Sequence, residues 1–310
     1  MSSSRSPVLA ATTTRTIRLY LCRHAETDAN AEDVLQGCLV DFALSEKGRG
    51  QAQAFGNRFR NIDVDCIVTS NLLRAQQTAA QVRLHHPNAK YHEFPELREI
   101  SWVFLSFRRF IFQGVLDGTP KASGDTRAMV RRTSDMWDMG ILESSLEGGE
   151  SPRDVEIRAV NKLYDILLNH PQISTSKSIV LVLHGRMLRI VLASIFHRDL
   201  RQMNRFPHHN TTVNIIDAVI SPSPSPLLSS PARDACSLDS KTIALVGSIS
   251  VQNVDAPEKN GLSMADTAVA SHTTSRVTAE YSWASHDDRI SWKGIVFDSF
   301  EHLSGDLLPL

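Results

Sequence analysis

Between residues 16 and 220, short apolar runs alternate with stretches of helical spacing. Residues 17–22 are apolar apart from Arg18 and read as a buried strand. Ser45 reads as a cap for a helix over 46–60, with Ala52, Phe55 and Phe59 on its buried face. Residues 66–69 form a second strand. It leads into a helix carrying Leu73, Ala75, Thr78, Ala79 and Val82, capped by Ser70 or Asn71. A short strand is expected over 91–97 and a helix over 127–142. Ser151, Pro152 and Asp154 mark a helix start with a capping-box-like pair, and Val155, Ala159, Leu163, Ile166 and Leu167 follow as its buried face. Residues 178–183 are continuously apolar, as a central parallel strand requires, and Gly185 allows a sharp turn into a helix over 187–196. Strands over 212–220 and 242–251 complete the pattern, the last antiparallel to its neighbour. The alternation predicts an α/β fold: a three-layer α/β/α sandwich with a mostly parallel central sheet and one antiparallel edge strand.

The pattern divides the chain. Residues 1–15 read as a disordered tail and 16–254 as the folded domain, with an insert over about 100–149 and a Ser/Pro-rich loop over 221–240. Residues 255–310 read as a polar, partly disordered tail in which Trp283, Trp292 and Phe297 are candidates to dock on the domain. At 310 residues the chain suffices for one large domain or two small ones, and 42% hydrophobic content buries a sizeable core. Basic and acidic residues nearly cancel, 33 against 34, so no global field points to nucleic acid or a membrane, and any anion site is local. No apolar run approaches the roughly 18 residues of a membrane span. Four cysteines, Cys22, Cys38, Cys66 and Cys236, with no C-x-x-C pair, suit a reducing compartment, and a cytoplasmic location is expected. The first fourteen residues lack the apolar core of a secretory signal; an unstructured tail is the reading and a weak transit sequence the alternative. Oligomeric state is not legible.

Candidate chemistry clusters at strand ends, where open α/β sheets gather ligands. The first strand stops on Arg23-His24, a fixed cation beside a titratable imidazole, which suits a phosphate or leaves only a solvated strand end. Arg74 falls in the first turn of its helix, opposed by the helix dipole unless an anion binds there. His184 ends the central strand. Asp63-Val64-Asp65 precedes its strand and so lies at the wrong end for an aspartyl nucleophile. Cysteine-based phosphatase chemistry is unsupported, because the residues six positions after the cysteines are Asp28, Leu44, Leu72 and Thr242 rather than arginine. His208-His209 lack further ligands at zinc-like spacing, so no metal is expected. Gly48 and Gly50 follow a loop rather than a strand and form no phosphate loop.

Arg23-His24-Ala25-Glu26-Thr27-Asp28-Ala29-Asn30 resembles the signature of the histidine phosphatase superfamily, the phosphoglycerate-mutase-like enzymes, with Ala25 where glycine is usual. Gln36-Gly37, Ser70-Asn71-Leu72-Leu73-Arg74-Ala75-Gln76-Gln77-Thr78-Ala79, the Leu97-Arg98-Glu99 run, Gly148-Gly149-Glu150-Ser151 and the strand ending His184-Gly185 match later parts of that pattern, in order. The resemblance covers about residues 16–254. It implies a nucleophile at His24, phosphate ligands at Arg23, Asn30, Arg74, His184 and Gly185, and a general acid at Glu99. It further implies a small phosphorylated substrate, a phosphohistidine intermediate, and no cofactor or metal. Glu150 reads as a structural turn residue. Residues 102–112 depart from the family, being aromatic and basic where a glycine-rich acidic turn is usual, and would line or cover the site. Phosphatase is the reading; a mutase and a non-catalytic phosphate-binding module stay open.

Overall fold

The computed structural model describes residues 13–102, 117–121, 124–222, 282–284, 289–299 and 301–303. In chain order these form β1 (Arg15–Arg23), α1 (Asp28–Ala31), α2 (Glu46–Phe59), β2 (Cys66–Thr69), α3 (Leu73–Arg83) and β3 (Lys90–Glu93). There follow α4 (Gly124–Asp138), α5 (Pro152–Leu168), β4 (Ser178–Leu183), α6 (Gly185–His197), β5 (Val213–Ile220), β6 (Ser282–Ala284) and β7 (Ile290–Ser299). Short 3-10 turns span Pro95–Leu97 and Leu200–Arg205.

The strands make one sheet in the order β3-β2-β4-β1-β5-β7-β6. β3, β2, β4 and β1 are mutually parallel. β5 runs antiparallel to β1, β7 to β5 and β6 to β7. The period of two along each strand sorts side chains to two faces. Ile17, Leu19 and Leu21 of β1 and Ile179, Leu181 and Leu183 of β4 join Val155, Ala159 and Leu163 of α5 and Leu188, Leu192 and Phe196 of α6. Tyr20 and Cys22 of β1 and Val180 and Val182 of β4 face Phe55 and Phe59 of α2 and Ala75, Ala79 and Val82 of α3. The result is three layers, helices on both faces of the sheet, as the apolar runs predicted.

Two expectations change. The antiparallel part is broader than one edge strand: β5 lies inside the sheet, covered by β7, which pairs with it from Val213↔Ser299 to Ile220↔Ile290. β7 and β6 come from the segment assigned to a polar tail. Trp292 is buried in the main core and Phe297 packs edge-on against Phe196, ring centroids 5.4 Å apart. The expected strand over 242–251, the Ser/Pro-rich loop beyond Pro222's neighbours at 223–240, and the aromatic stretch over 103–112 lie outside the described residues.

Candidate active site

The carboxyl ends of β1, β2 and β4 face one side of the sheet, and the predicted residues meet there. His24 follows β1 and anchors its backbone to the neighbouring strand, its N–H donating to Leu183 O at 3.0 Å. The next turns are tied down in sequence. Ala25 N–H donates to Thr78 Oγ1 at 3.0 Å and Glu26 N–H to Gln51 Oε1 at 2.9 Å. Ala25 departs from the usual glycine without strain. Its φ is not positive, and its methyl is buried with Leu44 and Ala52. Gly48 is fixed by the same loop, since a Cβ there would meet Glu26 O at 1.8 Å.

The ring of His24 is buried, and its Nδ1 lies 2.7 Å from Ala25 O. A carbonyl only accepts, so Nδ1 carries the proton and Nε2 keeps its lone pair. Burial first, then the charges of Arg74 and Arg23, push the pKa of His24 well below the ordinary histidine value, so the ring is neutral at pH 7. His184 lies beside it, ring centroids 5.3 Å apart, and is held neutral by burial and by Arg74. Its Nε2 is 2.7 Å from Ser70 Oγ, which also accepts from Leu72 N–H at 3.2 Å. With Ser70 donating to Nε2, Nδ1 of His184 becomes a hydrogen-bond donor; it has no partner among the described residues.

Two guanidiniums complete the cluster. Arg74 is fully buried. Its Nη2 donates to Gly37 O at 2.9 Å and its Nη1 to Val40 O at 3.3 Å, leaving Nε unpartnered among the described residues. Arg23 Nη1 donates to His208 O at 2.8 Å, and its Nε is likewise unpartnered. Burial lowers the pKa of Arg23 to about 10, which leaves it charged at neutral pH. Gly185 opens α6 against this side chain: a Cβ there would sit 3.3 Å from Arg23 Nε, so the glycine permits the close approach. Asn30 belongs to a capping box with Thr27 at the start of α1. Its Oδ1 accepts from Thr27 N–H at 3.3 Å and from Asn210 Nδ2 at 3.2 Å, which fixes the amide and leaves Nδ2 to donate.

Glu99 is buried at the amino end of α6. Its Oε1 accepts from Ile100 N–H at 2.9 Å and Met187 N–H at 3.0 Å, and its Oε2 from Arg186 N–H at 3.1 Å. These three contacts leave one lone pair of Oε2 uncommitted among the described residues. The segment carrying Glu99 is stapled by Arg158. That side chain holds Glu150 through a two-pronged ion pair at 2.6 and 2.8 Å and donates to the carbonyls of Glu96, Arg98 and Glu99. Glu150 thus has the structural place expected of it.

The cap of α3 differs from expectation. Its N-cap is Leu72, and the N–H of Leu73 donates to both oxygens of Asp41 at 2.9 and 2.8 Å. Asp41 also approaches Arg74 at 3.7 Å. Asp41 thus takes up the first free N–H of α3. Ser70, freed from capping, supports His184. Sequence reasoning missed Ser70, Asp41 and Asn210 as members of the site; the Ser70-Asn71 pair ahead of Arg74 was the signal available. His85-His86 and Asp63-Val64-Asp65 lie at the opposite end of the strands, where Asp65 accepts from the N–H groups of Lys177 and Ser178. Among the described residues no group of histidines, cysteines or carboxylates could hold a metal ion, and no helix is long and apolar enough to cross a membrane.

The buried neutral histidines make a pH signature. His208 and His302 have pKa values lowered to about 3 by burial and nearby arginines, and His24 and His184 are lowered as well. In the unfolded chain each binds a proton near the ordinary value of about 6.5. Below that pH the unfolded state holds more protons than the native one, so stability is fully present above about 6.5 and falls as pH drops toward the folded values. Each such histidine contributes a limiting slope of about 1.4 kcal/mol per pH unit. Urea midpoints are expected to hold between pH 7 and 8 and to fall steadily from pH 6.5 to 5. A midpoint unchanged over the acid interval would show these rings to be protonated in the fold.

Comparisons with known proteins bear on the family and the fold. The model of the histidine phosphatase superfamily (branch 1) matches residues 19–219. A 2,3-bisphosphoglycerate-dependent phosphoglycerate mutase of Gloeobacter violaceus is 29% identical over 188 residues, covering 60% of this chain and 79% of its own. A broad-specificity phosphatase of Saccharomyces cerevisiae is 27% identical over 205 residues, covering 66% of this chain and 80% of its own. Among solved structures, a mycobacterial glucosyl-3-phosphoglycerate phosphatase superposes with a TM-score of 0.54 at 25% identity, covering 66% of this chain and 91% of that one. The relatives include both mutases and phosphatases. With the family model spanning most of the sheet and every strand end that carries the cluster, the chain belongs to branch 1 of the histidine phosphatase superfamily.

Proposed function

We propose that this chain is a phosphatase that hydrolyses a phosphomonoester through a phosphohistidine on His24. The observation that carries the reading is the convergence around one unprotonated ring nitrogen. Nε2 of His24 has its lone pair, while Arg23 Nε, Arg74 Nε and His184 Nδ1 are buried and unpartnered among the described residues. Buried donors left unmatched are costly, and an anionic phosphoryl group satisfies all three at once. Asn30 Nδ2 adds a fourth donor.

The chemistry follows in two steps. Nε2 attacks phosphorus in line, the P–O ester bond breaks, and the leaving oxygen takes a proton from Glu99. Water then attacks the phosphohistidine, giving its proton to the Glu99 carboxylate as the N–P bond breaks and inorganic phosphate leaves. The arginines and His184 stabilise the equatorial oxygens, where charge is highest. The side chains supply the positive charge that a metal ion supplies elsewhere. The presence of Glu99 within the cluster favours an enzyme over a phosphate-binding module, which needs the donors but not the acid.

A mutase uses the same machinery, and several relatives carry that name. The two are separated by experiment. The purified chain is expected to release phosphate from p-nitrophenyl phosphate in the presence of EDTA, and not to interconvert 2- and 3-phosphoglycerate with 2,3-bisphosphoglycerate present. Rapid interconversion with little phosphate release would replace the phosphatase by the mutase and leave His24 in the same role.

A further inference from the structure

Behind the nucleophile lies a turn held in an unusual conformation. Thr211 has φ +58°, in the left-handed region that β-branched residues rarely occupy and keep only when their surroundings impose it. From that conformation its N–H donates to Arg23 O at 3.1 Å and His24 O at 3.3 Å. The preceding residue, Asn210, spends both protons of its amide on the site, donating to His24 O at 3.0 Å and to Asn30 Oδ1 at 3.2 Å. The turn therefore grips the main chain of the nucleophile and sets which way the Asn30 amide faces.

What holds Thr211 comes from far along the chain. His302 Nε2 lies 3.0 Å from Thr211 Oγ1, and Arg58 Nη1 lies 3.2 Å from His302 Nδ1. Arg58 also donates to Ser299 O at 3.4 Å and to Ser299 Oγ at 3.1 Å, tying the end of β7 to α2. An arginine only donates, so Nδ1 of His302 accepts and its Nε2 carries the proton. Nε2 then donates to Thr211 Oγ1, whose own proton goes to Asn210 O at 2.7 Å. Every hydrogen bond in this chain, from Arg58 to the Asn210 carbonyl, points the same way.

We propose that His302 is a positioning residue of the active site: through Thr211 it fixes the Asn210-Thr211 turn, and through that turn the His24 main chain and the Asn30 amide. The inference rests on the reading of His24 as nucleophile. It lies beyond the 19–219 span of the family model, so the coupling is carried by this chain's own C-terminal segment.

The test compares His302→Ala with His302→Gln in the full chain, since glutamine offers an acceptor and a donor at the two ends of its amide. Steady-state kinetics on p-nitrophenyl phosphate and amide hydrogen exchange at Thr211 are read together. His302→Ala is expected to lower kcat about tenfold, the scale of a small misplacement of reacting groups, with KM nearly unchanged. Exchange at Thr211 should accelerate while exchange in β4 does not. His302→Gln should recover most of both. Unchanged kcat, or unchanged exchange at Thr211, in the alanine variant overturns the proposal, as does a glutamine variant that folds and recovers neither. Should His302→Ala not fold, the same change in a Thr211→Gly chain decides. Glycine adopts the turn unaided, so His302→Ala should there leave kcat near that of Thr211→Gly alone, and a tenfold further drop would overturn the role given to Thr211. If the wild-type chain proves inactive, the phosphatase reading fails, while exchange at Thr211 still decides whether His302 holds the turn.

Discussion

Replacing His24 by alanine is expected to lower phosphomonoester turnover by a factor on the order of 10⁴ or more, the scale seen when a covalent nucleophile is removed. The fold should survive. The main-chain bond from His24 to Leu183 O does not involve the side chain, and among the described residues the ring bonds to its own neighbour, Ala25 O. The donors of Arg23, Arg74 and His184 also remain, so inorganic phosphate should still bind. That combination, anion binding without turnover, separates loss of a nucleophile from collapse of the site. Rapid quenching of the wild-type chain with substrate should trap a phosphoenzyme that is labile to acid and stable to base, absent in the variant. An alanine variant with full activity would remove His24 from the mechanism.

Truncation after Ala256 is expected to destroy the cooperative fold. On sequence alone every proposed site residue precedes that point, and catalysis within a few-fold of the full chain would be expected. The structure reverses that expectation. The deletion strips β7 from the outer side of β5 and leaves the whole length of β5 as an unpaired edge. It also removes Trp292 and Ile290 from the core and uncovers Phe196, against which Phe297 packs. Losing one buried tryptophan alone costs about 3–5 kcal/mol, a large share of the roughly 5–15 kcal/mol that stabilises a domain. Thermal melts followed by near-ultraviolet circular dichroism, with a hydrophobic dye as a probe of exposed core, check this. A truncated chain that melts cooperatively within about 5 °C of the full one would show β7 to be dispensable.

The sequence named Trp292 and Phe297 as candidates to dock but did not disclose the strand that carries them, and the reason is physical. β2 and β4 are buried on both faces and β1 over most of its length, so their apolar runs stand out: those at 66–69 and 178–183 end where the strands end, and that at 17–22 falls within β1. β7 reads Ile290-Ser291-Trp292-Lys293-Gly294-Ile295, a mixed pattern that owes its place to pairing with β5 and not to its own composition. The same division runs through the cluster. His24 and His184 draw notice because each follows a buried strand, and Arg74 because it stands in the first turn of a helix, whereas Glu99 is marked only by the family resemblance. Asp41, Ser70, Asn210 and Thr211 sit in loops without periodicity, and only their partners across the fold disclose what they do. The cap of α3 illustrates the limit: Ser70 and Asn71 are good capping residues, but a carboxylate from a distant loop took that place and released Ser70 to meet His184.

The strand order also bears on when the protein can first work as it is made. β1 pairs on one side with β4, over 150 residues later, and on the other with β5, nearly 200 residues later. Pairings this distant in sequence form slowly and cannot begin until the later partner has been synthesised. The loop after β1 thus waits for both neighbouring strands while the intervening helices are produced. The Thr211 turn that meets its carbonyls gains the His302 contact only with residue 302. During that interval the apolar face of β1 is a surface in need of protection from other unfolded chains.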